Sequence, residues 1–164
     1  MKVKVEVYVD AFADATRDII ETLMPVTVDR KGSSKHKFLV AEGISAMIHL
    51  SGSMDGCVIL DIEQDVAKSI AGFMNGCKFE KLDDLAIDTI CELTNIIVGR
   101  AVTNLNNVGQ KFKSSPPCFF RGKKTYPFEN TSISLGTSWG DVCIKVALRE
   151  PKEGVLFDSF AMYA

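Results

Sequence analysis

Between Asp83 and Asn106 the residues Leu85, Ile87, Ile90, Cys91, Thr94, Ile97, Val98 and Ala101 recur at helical spacing with no proline among them. This predicts an unbroken helix about 36 Å long, with Asp83 or Asp84 as its N-cap. Ser114-Ser115-Pro116-Pro117 must leave helical geometry, because proline lacks the amide donor and restricts its predecessor. A helix of that length with one apolar arc needs a broad apolar partner, and the flanking sequence offers one in strands.

Residues 44 to 51 place Ile44, Ala46, Ile48 and Leu50 on one side, residues 57 to 62 form a second β-rich run, and Gly52 to Gly56 carries turn chemistry. Downstream, Cys118 to Arg121, Thr131 to Leu135 and Val142 to Leu148 read as three strands, the last two forming a hairpin around Gly136 to Gly140. Ile62 to Gly76 reads as a short helix ending in a left-handed glycine cap. At the start, Val3, Val5, Val7 and Val9 alternate with Lys2, Lys4, Glu6 and Tyr8, which predicts a strand. A helix from an Asp10 N-cap to Met24 follows. Residues 29 to 37 are polar, basic and aperiodic, which predicts a surface loop. With no internal repeat or break in composition, these elements predict one α+β domain over residues 1–164, an antiparallel or mixed sheet with helices packed against it. Any exposed strand edge would need protection, and Lys145 and Arg149 are candidate charged gatekeepers.

The composition narrows the function. The 164 residues are 46% hydrophobic and 24% charged with a formal net charge of −2, which fits an ordinary folded domain and offers no basic excess for nucleic acid. The alternating N-terminus lacks a signal-peptide core, no run is apolar enough for a bilayer, and the cysteines form no Cys-x-x-Cys pair. A cytoplasmic protein with buried thiols, no membrane association and no metal on this chain is expected. Motifs for phosphate cradles, zinc hydrolysis and serine hydrolysis do not occur. His49 lies on the face opposite Ile48 and Leu50, where a helix-packed or solvent-facing imidazole accounts for it without a catalytic role.

One stripe of the long helix stands apart. Asp88, Glu92 and Asn95 fall at i, i+4 and i+7, within about 60° of arc, opposite the apolar residues, and Gly99 continues the line. A glycine there costs about 1 kcal/mol relative to alanine and lets another backbone approach. Alone, Glu-x-x-Asn is an ordinary solvated-face pattern.

Its surroundings add weight. Asp88-Thr89-Ile90-Cys91-Glu92-Leu93-Thr94-Asn95-Ile96-Ile97-Val98-Gly99-Arg100-Ala101 resembles the signature helix of the CheC/CheX/FliY phosphatase family, most closely its single-motif CheX members. The Glu42 to Ile62 hairpin, the Ala67 to Gly76 helix and the Gly109 and Ser115-Pro116 loop resemble that family in the same order. The resemblance implies the CheC-like fold and a phosphatase that hydrolyses the phospho-aspartate of a CheY-type response regulator. Asn95 would orient the attacking water, and Glu92 would pair with the regulator's lysine. Asp88 and Gly99 would contact the partner, and Mg2+ would come from the regulator rather than from this chain. A homodimer formed by joining sheets is also implied. Departures from the family pattern include the missing second Glu-x-x-Asn and a first helix reading Val9-Asp10-Ala11-Phe12 where relatives begin Asn-Pro. The alternative is a non-catalytic, dimeric binding or scaffold module of the same fold. A thiol enzyme using Cys91 or Cys118 is a third reading, without a histidine at recognisable spacing.

Overall fold

The first helix begins where the valine alternation predicts a strand. In the computed structural model, which describes residues 3–152, α1 runs Val5–Leu23. Its buried stripe, Tyr8, Val9, Phe12, Ala13, Thr16, Ile19 and Ile20, continues helical spacing back through the supposed strand, while Val7 stays 51% exposed. Tyr8 donates from its hydroxyl to Gln110 Oε1 at 2.8 Å and meets the Phe112 ring edge-on at 5.5 Å, so tertiary packing overrides the preference of valine for strands. Asp10, expected as the cap, lies inside the helix and pairs with Arg30 at 2.9 Å; the N-cap is Lys4. Lys2 of the expected strand, and the two ends of the expected 1–164 domain, lie outside the described residues.

A second correction concerns residues 29 to 37. Asp29–His36 is β1, a strand exposed along its whole length and paired antiparallel with a later strand from Asp29 opposite Gly136 to His36 opposite Asn130. Neither face is buried, so no period of two marks it, and its shape comes from the backbone ladder alone. Arg30, Lys31 and Lys35 reach Asp10, Asp141 and Glu6 at 2.9–3.0 Å.

The hairpin, the next two helices and the strands Cys118–Arg121, Asn130–Thr137 and Gly140–Arg149 follow the expected order, while three three-residue strands, Leu39–Ala41, Phe112–Ser114 and Lys124–Tyr126, were not expected. β2 is Leu39–Ala41, β3 Ile44–Gly52, β4 Asp55–Ile62, α2 Gln64–Asn75 and α3 Asp84–Asn107; then come β5 Phe112–Ser114, β6 Cys118–Arg121, β7 Lys124–Tyr126, β8 Asn130–Thr137 and β9 Gly140–Arg149. The main sheet has the order β1-β8-β9-β4-β3-β5, with β6 also on β3, and β2 pairs with β7 separately. Every one of these pairings is antiparallel. Gly52 closes the β3–β4 hairpin at φ +117°, where a Cβ would sit 1.9 Å from the Lys111 carbonyl oxygen. β5 and β6 divide one sheet edge at Pro116-Pro117, and Ser115 bridges the gap by bonding the His49 backbone through both its N–H and its Oγ.

The three helices cover one face of the sheet. Phe12, Ile20, Ile70, Ile90, Leu93 and Ile97 pack there against Ile48, Leu60, Ile133 and Ile144. The other face carries a smaller cluster in which Leu39, Phe120 and Tyr126 lie over Met47, Cys57 and Ile59. β9 lies inside the sheet between β8 and β4, so Lys145 and Arg149 guard no edge. Lys145 is instead largely enclosed, its side chain 12% exposed, pairing with the buried Asp61 at 3.2 Å and donating to the Val40 carbonyl. Asp61 also accepts from Glu42 N, Gly43 N and Ser45 Oγ at 2.8–3.0 Å.

Removing one partner of such a pair strands a buried charge and its donors. Asp61→Ala should cost about 3 kcal/mol in urea unfolding, whereas Lys31→Ala, at an exposed pair, should stay within about 0.5 kcal/mol of the parent.

Candidate functional site

α3 starts as its sequence directs. The Asp83 carboxylate accepts from Ala86 N at 3.0 Å, capping the first turn. Arg121 donates to the Leu82 carbonyl at 2.7 Å just ahead of that cap, and its guanidinium stacks over Phe119. At the far end the Asn106 side chain accepts from Phe112 N at 2.9 Å and donates to Phe112 O at 3.3 Å. Two neighbours in the fold thus hold the helix at its ends.

Its inner arc is close to the expected one. Ala86, Ile90, Leu93, Thr94, Ile97, Val98 and Ala101 are buried, and Thr94 satisfies its hydroxyl by donating to the Ile90 carbonyl at 2.8 Å. Ile87 and Cys91, also expected inside, are only half-buried at the margin. The opposite arc brings Asp88, Glu92, Asn95 and Gly99 together on one exposed stripe. Glu92 and Asn95 are one turn apart, about 4.5 Å along the axis, and both are exposed. Leu85, counted in the sequence with the apolar series, is instead 53% exposed at the start of the outer face. The signal of that placement was its position seven residues before Glu92, nearly in line with it on the helix.

Gly99 has no steric duty among the described residues, since a Cβ built there meets none of them within 4 Å. Its cost to the helix therefore has no internal return, and the open backbone is accessible to an outside molecule. A groove of about 950 Å³ does exist elsewhere, between the start of α1 and the β1, β8 and β9 strands, lined by Val9, Arg30, Lys35, Asn130 and Leu148. The stripe is the reverse of a small-molecule cavity and suits insertion into a concavity on a larger partner.

The other candidates gain little. Burial first, then Asp88 and Cys118, push the Cys91 thiol up, and burial pushes Cys57 up to about 12, so these thiols stay protonated near neutral pH. His49 is half-buried on the face away from the helices, and burial lowers its pKa. Among the described residues no three His, Cys, Asp or Glu side chains converge to hold a metal ion, and no helix is long and apolar enough to cross a membrane.

The family model of the chemotaxis phosphatase CheX matches residues 44–135, which contain the hairpin, α2, all of α3 and most of β8. The chain belongs to the CheX family. The CheY-P phosphatase CheX of Thermotoga maritima is 26% identical over 94 residues, 57% of this chain; the match spans about three fifths (61%) of that relative's length. CheX of Desulfovibrio desulfuricans shares the fold with a TM-score of 0.78 at 21% identity, covering 87% of this chain and 99% of its own. A complex of CheX with CheY, BeF3 and Mg2+ from Borrelia burgdorferi gives 0.69 at 24% identity, covering 87% and 98%. The CheX-like fold expected from the signature helix is thus present, with the helix at the centre of its helical layer.

Two substitutions check the orientation of α3. Gly99→Ala should raise stability by about 1 kcal/mol, read as a higher Tm, because the methyl group meets open space. Ile90→Asp buries a charge against the sheet and should abolish the cooperative thermal transition.

Proposed function

We propose that this chain hydrolyses the phospho-aspartate of a CheY-type receiver domain by inserting the outer stripe of α3 into the receiver's active site. The observation that carries this reading is the convergence of Asp88, Glu92, Asn95 and an unhindered Gly99 on one exposed arc in a member of the CheX family. Names of relatives point the same way, one being a CheY-P phosphatase and another a complex with CheY.

The division of labour follows from the chemistry of the side chains. Phosphoryl transfer asks chiefly for positioning and charge neutralisation, and the receiver brings its aspartyl phosphate, a lysine and Mg2+. The Asn95 amide oxygen accepts a hydrogen bond from water and holds it in line with the phosphorus while adding no charge beside an anionic group. The water oxygen–phosphorus bond forms as the phosphorus–aspartate oxygen bond breaks, releasing inorganic phosphate and the aspartate carboxylate. Glu92 pairs with the receiver's lysine, an ion pair that strengthens as docking expels water and that fixes the register. Asp88 contacts the rim, and Gly99 lets the receiver's backbone close over the ridge. A homodimer joined along a sheet edge and a cytoplasmic setting belong to the same reading; β1, exposed along its length, is one such edge.

The test follows phosphate loss from acetyl-phosphate-labelled receivers of the same genome. The parent chain should accelerate it; Asn95→Ala should lower kcat by about 100-fold with the fold intact. Glu92→Ala should weaken receiver binding by about 2 kcal/mol, near 30-fold. A folded parent chain that binds receivers without hastening phosphate loss would mark a non-catalytic binding module. Gly99→Ala should slow turnover by weakening receiver binding while stabilising the fold.

A further inference from the structure

α3 is tied to its neighbours at three levels, and the middle tie lies beside the stripe. Asn75, the last residue of α2, donates from Nδ2 to Thr89 Oγ1 at 2.8 Å and to the Ala71 carbonyl at 2.8 Å. The Thr89 hydroxyl in turn donates to the Leu85 carbonyl at 2.8 Å. Both amide hydrogens of Asn75 are thus used, and the direction of the relay is set. Thr89 is only 8% exposed and stands about 60° around the helix from Glu92, a turn before it.

Both ends of this tie are firm. Gly76 caps α2 in the left-handed conformation, and Cys77 N bonds the Gly72 carbonyl at 3.1 Å. A Cβ at Gly72 would fall 2.7 Å from the Cys77 carbonyl oxygen, so this corner is closed by backbone contact. The ties at the two ends of α3, through Arg121 and Asn106, act near the helix axis' extremities and set its slide along the sheet. A flank contact at Thr89 acts instead on rotation about the axis.

We infer that Asn75, acting through Thr89, is a positioning residue that sets the roll of α3 and hence the direction in which Asn95 presents its amide. The leverage is large. A side-chain head about 5.5 Å from the axis moves about 1 Å for a roll of about 10°, and a misplacement of that size can cost about 100-fold in rate. Glu92 has one more torsion than Asn95 and can follow a lysine through a small roll, whereas the shorter Asn95 cannot follow a water. The signature of this role is a fall in kcat with KM preserved.

The inference rests on the phosphatase reading for its kinetic consequence, so its test has a second arm that needs no receiver. The variants are Asn75→Ala, the near-isosteric Thr89→Val, the hydroxyl-retaining Thr89→Ser, and Ser69→Ala on the exposed side of α2 as a control. Asn75→Ala and Thr89→Val should lower kcat about tenfold with KM within about twofold, and Thr89→Ser and Ser69→Ala should turn over like the parent. In the free protein, the Asn95 side-chain amide resonance should shift in Thr89→Val and return in Thr89→Ser. If the parent hydrolyses no receiver phosphate, the phosphatase reading fails, and the Asn95 resonance alone decides the role of Asn75. An unshifted Asn95 resonance in Thr89→Val, or a parent-like kcat in an active series, would overturn the inference; should Asn75→Ala fail to fold, Thr89→Val carries the test.

Discussion

The burial of one arc of α3 against the sheet is the contact on which the rest depends. Ile90, Leu93 and Ile97 are fully enclosed between the helix and the Ile48, Leu60 and Ile144 face. At about 25 cal/mol per Å², side chains of this size contribute roughly 2 kcal/mol each when removed from water. With that arc packed inward, Asp88, Glu92, Asn95 and Gly99 are left on the outer side of the helix, and the Asn75–Thr89 tie trims their direction within that constraint. Core and candidate site are opposite faces of a single helix, so a change to the inner arc cannot leave the outer one where it was.

The second face of the sheet is organised differently. There Lys145 and Asp61 meet below the β2–β7 pair, and Asp61 gathers the backbone of Glu42 and Gly43, just before β3. This polar knot pins the start of β3, and Arg121 on the neighbouring β6 reaches on to Leu82 at the mouth of α3. The start of β3 is thus connected, through its partner β6, to the start of the helix that bears the stripe.

Most elements legible in the sequence have a buried face, whereas β2, with Leu39 and Ala41 buried, is too short at three residues to show a period. The β3–β4 hairpin, α2 with its Gly76 cap, α3 and the β8–β9 hairpin all show the periodicity of their burial. β1 was not legible, because Asp29–His36 buries nothing and depends on β8 for its shape. The start of α1 was misread because its valines alternate by chance, while the decisive partners, Gln110 and Phe112, lie a hundred residues away. Lys145 was misplaced for a related reason: a lysine in an alternating strand reads as solvent-facing, and its buried carboxylate partner is visible only in the fold. For the site, spacing alone placed Asp88, Glu92, Asn95 and Gly99 on one face. It could not reveal that no described residue crowds Gly99, or that Asn75 grips the flank of the helix.

The proposed function has the α3 stripe enter a receiver domain, and the footprint of that domain on this chain tests it most directly. The measurement is the change in backbone amide resonances of the isotopically labelled chain on adding a receiver domain held in its phosphorylated form by beryllofluoride. The account predicts changes centred on Asp88 to Gly99 and reaching Leu85, with β1 and the groove beside α1 unaffected. Changes centred on that groove or on β1, with α3 silent, would contradict it.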